Sequence, residues 1–207
     1  MKDRYDSLDE YIKDLQQEIS ESDNCANHYY QLGMAMLAKH DYMEAEDAFL
    51  NAVRLSPRLA EGFVQLGGLC LQRGDYEGCL RYNTEASNIR AKYAVPQANI
   101  GFCHLQMGNI KKAKTALMKA LSWDPEFLQA RTTLASAYFM EGNYDACIEE
   151  SNNVIRTQPA FGPAWNNIAL AYFEKGDFQK ADEAINQAAK CGYEVHPDFV
   201  KQVKEKI

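Results

Sequence analysis

A chain that repeats itself every 34 residues folds as copies of one small unit laid side by side, and not around a single closed core. The repeat shows as columns. Gly33, Gly67, Gly101, Ala135 and Ala169 fall in register, and so do His40, Gly74, Gly108, Gly142 and Gly176. Asp41, Asp75, Asn109, Asn143 and Asp177 follow, then Tyr42, Tyr76, Ile110, Tyr144 and Phe178. Ala45, Cys79, Ala113, Cys147 and Ala181 make a fifth column, and Pro57, Pro125 and Pro159 stand at repeat ends. Five periods pass without an insertion.

Each period reads as two helices. In the last one, Trp165, Ile168, Ala169 and Tyr172 recur at helical spacing and make one apolar face. Gly176-Asp177 then interrupts the pattern as a helix stop and turn, and Phe178, Ala181, Ile185 and Ala188 form a second face. The small column at Gly33, Gly67, Gly101, Ala135 and Ala169 is expected to face the small column at Ala45, Cys79, Ala113, Cys147 and Ala181. Two helices approach closely only where both lack bulk, and a large side chain at such a contact costs about 1–3 kcal/mol. One pair cannot bury its own apolar stripe, so successive pairs must stack.

These residues resemble the tetratricopeptide repeat, a 34-residue helix-turn-helix with an aromatic at position 4, Leu-Gly at 7–8, Tyr at 11, small residues at 20 and 27, and Pro at 32. Repeat one carries Tyr29, Leu32, Gly33, Ala45, Phe49, Ala52 and Pro57 on that motif. Repeat five carries Trp165, Ile168, Ala169, Tyr172, Ala181 and Ala188. The resemblance covers residues 26–195, divided as 26–59, 60–93, 94–127, 128–161 and 162–195. It implies an all-α fold: a right-handed superhelical solenoid of helix-turn-helix repeats, with the first helices lining a concave groove and a capping helix at each end. Departures are local. Ala91 replaces the terminal Pro of repeat two, Gln97 and Arg131 stand at the aromatic position of repeats three and four, and Ser151 is at position 24. Looser packing is expected in repeats two to four.

Outside the repeats, residues 1–25 put Leu8, Tyr11, Ile12, Leu15 and Ile19 on one helical face. This segment holds eight acids and three bases, so it supplies most of the chain's net charge of −7. It reads either as a cap on repeat one or as a detachable helix that docks on a partner or back into the groove. Residues 196–207 begin with His196-Pro197-Asp198, a helix start, and Phe199, Val200, Val203 and Ile207 give a short amphipathic cap. The acidic balance repels phosphate backbones, so nucleic acid is not the expected partner. No apolar run approaches the roughly 20 residues of a membrane helix. Acids stand where a signal peptide needs an apolar stretch, so the expected location is cytoplasmic. The six cysteines, at 25, 70, 79, 103, 147 and 191, show no metal or redox spacing and read as reduced core thiols.

In this family positions 2, 5, 6, 9, 12 and 13 of each repeat face the groove. Position 6 reads Gln31, Gln65, Asn99, Thr133 and Asn167, and position 5 includes Tyr30 and Asn166. Position 9 includes Met34, Phe102 and Leu170, position 12 includes Phe139 and Phe173, and position 13 adds Gln72 and Gln106. None of these is Lys or Arg. A family clamp for acidic peptide tails needs cationic donors there, so that clamp is not expected. Asn and Gln each carry a donor and an acceptor, so a column of them can pair with an extended peptide backbone whatever its side chains. Met34, Phe102, Phe139, Leu170 and Phe173 would supply apolar pockets, although position 12 also suits core packing.

No catalytic set emerges. The glycines are spaced as turn and packing residues, and His28, His40, His104 and His196 are scattered. The chain is expected to be no enzyme and to hold no metal or cofactor. It reads as a protein-interaction adaptor or scaffold that binds a peptide segment of a partner in its groove. Two alternatives stand beside this: a self-assembling scaffold, and a regulatory or assembly subunit that uses its convex face.

Overall fold

The structure, a computed structural model, describes residues 7–207; the first six residues of the acidic N-terminal segment lie outside it. Among the described residues there are twelve α-helices and no strand. They are α1 (Leu8–Glu21), α2 (Ala26–Ala38), α3 (Tyr42–Leu55), α4 (Ala60–Gln72), α5 (Tyr76–Ile89) and α6 (Ala94–Gln106). After these come α7 (Ile110–Trp123), α8 (Leu128–Met140), α9 (Tyr144–Thr157), α10 (Gly162–Glu174), α11 (Phe178–Lys190) and α12 (Pro197–Lys204). First helices begin at 26, 60, 94, 128 and 162, and second helices at 42, 76, 110, 144 and 178. The chain divides into two compact units, Met1–Asn99 and Ile100–Ile207.

The turn inside each pair follows from two adjacent columns. The first holds a residue with positive φ: His40 at 62°, Gly74 at 77°, Gly108 at 74°, Gly142 at 81° and Gly176 at 78°. That left-handed step lets the following amide return to a carbonyl of the preceding helix. Asp41 N reaches Met36 O at 2.9 Å, Asp75 N reaches Cys70 O at 2.8 Å, and Asp177 N reaches Tyr172 O at 3.0 Å. The same residues then cap the second helix. Asp75 accepts from the Gly78 amide at 2.8 Å and Asn143 from the Ala146 amide at 3.1 Å, which satisfies donors the helix itself leaves open. The Gly78 amide holds the Asp75 carboxyl below the usual carboxylate range.

Unit one packs Ile12, Ala35, Met36, Ala45, Phe49, Leu66 and Leu69 into one cluster. Ile12 is the contribution of α1, which lies on α2 of its own chain and is tied there by Lys39–Asp9 at 2.7 Å and His28–Glu18 at 3.5 Å. Unit two has one cluster around Ala135, Cys147 and Ala171, and another running from Ile168 through Ala181 and Ile185 to Val195 and Val203. The fully buried Val203 seats α12, Phe199 meets the Phe173 ring at 5.4 Å, and Lys204 pairs with Asp182 at 2.7 Å.

In the three pairs whose first helix carries glycine, the close seam is filled differently from the expectation of small facing small. A Cβ on Gly33 would meet the Phe49 ring at 2.6 Å, one on Gly67 the Asn83 amide at 2.1 Å, and one on Gly101 Leu117 at 2.5 Å. The glycine column therefore receives the side chain one helical turn beyond the Ala/Cys column. Where position 8 is glycine, position 24 is large and buried: Phe49, Asn83 and Leu117. Of the two alanine pairs, Ala135 goes with the small Ser151, whereas Ala169 accommodates the large, buried Ile185.

The departures at position 4 keep a seam contact. Trp165 Nε1 donates to the Pro159 carbonyl at 2.9 Å, and Arg131 Nη2 makes the equivalent bond to the Pro125 carbonyl, also at 2.9 Å. Arg131 adds an ion pair with Glu150 at 2.8 Å. Gln97 Nε2 reaches Ser87 Oγ at 3.0 Å. Polar side chains thus fasten these repeats where an aromatic ring does so elsewhere.

Candidate functional site

The candidate face lies on the first helices, and each unit presents its own part of it. In unit one, α2 carries Tyr30, Gln31 and Met34, α4 carries Gln65 and Gln72, and Asn99 lies on α6. In unit two, the last turns of α6 carry Phe102 and Gln106, α8 carries Thr133 and Phe139, and α10 carries Asn166, Asn167, Leu170 and Phe173.

The amides separate into two groups. The side chains of Gln31, Gln65, Gln106 and Asn166 have no protein hydrogen-bond partner among the described residues, and each is partly or fully exposed. Their donors and acceptors are open to a ligand. Asn99 is half-buried and gives its amide to Asn83 Oδ1 at 3.0 Å. Asn167 is a correction to the ladder. It is only 7% exposed, and its amide donates to the Thr132 carbonyl and to Ser136 Oγ, both at 3.1 Å. It therefore fastens α10 to α8. Thr133 turns its hydroxyl back to the Gln129 carbonyl at 2.8 Å, a local bond that uses its proton.

The apolar residues separate in the same way. Met34 and Phe102 are exposed, and Leu170 is half-buried. Tyr30 packs on Phe49 with ring centroids 5.7 Å apart, so it forms floor. Phe139 and Phe173 are corrections to the pocket reading. Phe139 packs on Tyr144 at 5.6 Å beside the Ala135 cluster, and Phe173 lies between Phe178 at 5.5 Å and Phe199 at 5.4 Å. Both side chains at position 12 are half-buried and pack against an aromatic ring of the second helix.

Two further exposed methionines belong with this face or its edge: Met140 stands at position 13 of repeat four, a groove position of the family pattern, whereas Met43, on a second helix, is not marked by that pattern. Met140, the last residue of α8, is exposed beside the Phe139 position. Met43 is 82% exposed and, with Tyr42, Glu46, Leu69, Gln72 and Arg73, lines a cavity of about 340 Å³ between α3 and α4. The available signal was an apolar residue standing off the stripe of its own helix. Arg73 offers this cavity little free charge, because Glu46 holds it at 2.5 and 3.0 Å.

Among the described residues, no group of three or more His, Cys, Asp or Glu side chains is placed to hold a metal ion. Burial pushes the Cys147 thiol up to about 12 and also raises that of Cys70, so both stay protonated and unreactive at neutral pH. No helix among the described residues is long and apolar enough to cross a membrane.

The chain has relatives of this architecture. The Cut9–Hcn1 hetero-tetramer of the APC/C contains a chain that superposes with a TM-score of 0.82 at 16% identity, covering 95% of this chain and 39% of that one. YrrB, described as a tetratricopeptide-repeat protein with an unusual peptide-binding site, gives 0.71 at 17% identity, covering 92% and 97%. PilW, a type IV pilus biogenesis factor, gives 0.78 at 16%, covering 87% and 86%. At these identities the likeness speaks of fold, and this chain spans well under half of the Cut9–Hcn1 chain. No curated protein sequence matches. Tetratricopeptide-repeat family models match residues 30–78, 104–165 and 162–190, together more than half of the chain. With the helical pairs and turns described above, these matches identify the chain as a member of the tetratricopeptide-repeat family.

Proposed function

We propose that this protein is a non-catalytic adaptor that holds an extended peptide segment of a partner against its first helices. The family and the structural neighbours are in general scaffolds that bind proteins or peptides. The observation that carries the finer reading is the set of open amides beside exposed apolar side chains. Gln31 and Gln65 accompany Met34 in unit one, and Gln106 and Asn166 accompany Phe102 and Met140 in unit two. Such amides grip peptide units, while methionine and aromatic side chains adapt to varied residues between them. All six cysteines are free thiols, four of them buried, which suits the reducing cytoplasm proposed as its location.

The test selects unstructured peptides from a displayed library on the wild-type protein and titrates the winners calorimetrically. Gln106→Ala/Asn166→Ala and Gln31→Ala/Gln65→Ala remove two amides each, worth about 0.5–1.5 kcal/mol per hydrogen bond. A loss of about tenfold in one double variant, with the fold retained, supports the reading. Full affinity in both double variants would refute it.

A further inference from the structure

Four of the five second helices carry acids. α3 holds Glu44, Glu46 and Asp47, α5 holds Glu77 and Glu85, α9 holds Asp145, Glu149 and Glu150, and α11 holds Asp182 and Glu183. The exception is α7, Ile110–Trp123, which has four lysines and no acid. In a chain of net charge −7 this is a local reversal of sign.

The lysines surround an apolar centre. Ala113, Ala116, Leu117 and Ala120 are the buried side of α7. At about 100° per residue, Lys111 and Met118 run along the opposite side, with Lys112 and Lys119 on one shoulder and Lys114 on the other. Met118 is 54% exposed. Lys114 is already engaged by Glu141 at 2.5 Å. The Lys119 ammonium stands over the Trp123 ring at 5.0 Å, a cation–π contact that holds it on the exposed side of the helix without a carboxylate partner. Among the described residues no carboxylate lies within ion-pair reach of Lys111, Lys112 or Lys119.

We propose that the outer face of α7 docks a short acidic segment of a partner protein, with an apolar side chain on Met118 and carboxylates at Lys111, Lys112 and Lys119. Three ammonium groups without an ion-pair partner, around an exposed thioether, form a surface that carboxylates and one apolar anchor complement in both charge and polarity. The size and setting of the patch favour a short segment over a long polyanion or an anionic bilayer. From Lys111 to Lys119 is only about 12 Å of helix. The next second helix of the same unit, α9, presents exposed Glu149, which would repel an anion extending past the patch, while its Asp145 is paired with Lys175. This surface is separate from the amide-bearing first helices, so the proposal does not depend on the groove reading.

The test uses the full chain and a fluorescein-labelled peptide in which Glu and Asp flank a central Leu, with a control peptide carrying Gln and Asn instead. Binding is followed by fluorescence anisotropy. The acidic peptide should bind, should loosen as salt rises from about 50 to about 300 mM, and should bind about tenfold more weakly to Lys111→Glu/Lys112→Glu/Lys119→Glu. Met118→Ser should weaken it severalfold, and Gln106→Ala/Asn166→Ala should leave it unchanged. These side chains are exposed, and circular dichroism should show the variants folded. Equal affinity in wild type and the charge-reversal variant would overturn the proposal. So would loss of binding in the amide variant alone, or tighter binding to single-stranded RNA or phosphatidylserine vesicles than to the peptide.

Discussion

Gly67 and Asn83 stand so close that a Cβ on residue 67 would lie 2.1 Å from Asn83 Nδ2. Asn83 is fully buried and cannot retreat freely, because its amide donates to the Cys79 carbonyl at 2.9 Å and its Oδ1 accepts from Asn99 at 3.0 Å. Gly67→Ala should therefore destabilise by about 1–3 kcal/mol through overpacking. Adding Asn83→Ala should recover part of that loss, with a coupling of about 1 kcal/mol in a urea-denaturation cycle. Strict additivity of the two changes would contradict the contact.

His40 occupies the one pair turn whose left-handed residue is not glycine, at φ 62°. An L residue there costs about 1–2 kcal/mol, while glycine surrenders about 0.5–1 kcal/mol of chain entropy on folding. The contact of His40 Nδ1 with the Tyr42 hydroxyl at 3.1 Å is exposed and offsets little. His40→Gly should raise the melting temperature by a degree or two, roughly 0.5 kcal/mol. Thermal unfolding followed by circular dichroism checks this, and a lower melting temperature would count against it.

Neighbouring residues on α10 should behave oppositely. Asn167→Ala removes two bonds, one buried and one part-buried, and leaves the Thr132 carbonyl without that donor, at a cost of about 2–3 kcal/mol. Asn166→Ala, at an open amide, should change stability by less than about 0.5 kcal/mol. Chemical denaturation of the two variants side by side distinguishes a fastener from a free rung. Equal stabilities would argue against the assignment.

The thiols give a reactivity pattern and a pH dependence. Cys25 and Cys191 are partly exposed, whereas Cys70, Cys79, Cys103 and Cys147 are buried. A chromogenic disulfide reagent should modify the first two in the native protein and the other four only after unfolding. Folding holds the Cys147 proton up to about 12, against an ordinary value of 9.0 for the unfolded thiol. The native state binds more protons in that window, so stability falls as pH rises from about 9 towards about 12. Cys147→Ala should flatten that alkaline decline. An unchanged slope would mean that the thiol does not contribute to it.

The helical pairs and their turns were legible because they rest on period and on backbone chemistry. The 34-residue columns mark where a left-handed residue and an N-cap must follow one another, and Gly74-Asp75 and Gly176-Asp177 do this in space. Which side chain fills the seam was less legible. Ala45 and Phe49 are one helical turn apart on the same stripe, and a modest rotation of α3 decides which of them meets Gly33. Buried polar residues were hardest to see. Asn83 and Asn167 have the composition of surface positions, and only the partner across the seam shows that they are internal. The absence of cations from the candidate groove positions was readable directly. Met43 was not, because its exposure depends on how α3 and α4 meet.

The pairing of position 8 with position 24 also bears on how such a chain can be recombined. Gly33 goes with Phe49, Gly67 with Asn83, Gly101 with Leu117, Ala135 with Ser151 and Ala169 with Ile185. A first helix bearing alanine, grafted in front of a second helix bearing Phe49 or Leu117, would bring a methyl group into the ring or branch that now fills the gap. A crossover between whole hairpins keeps each lock with its key, whereas one inside a turn separates them. The hairpin, and not the single helix, is therefore the smallest interchangeable part for shuffling or design.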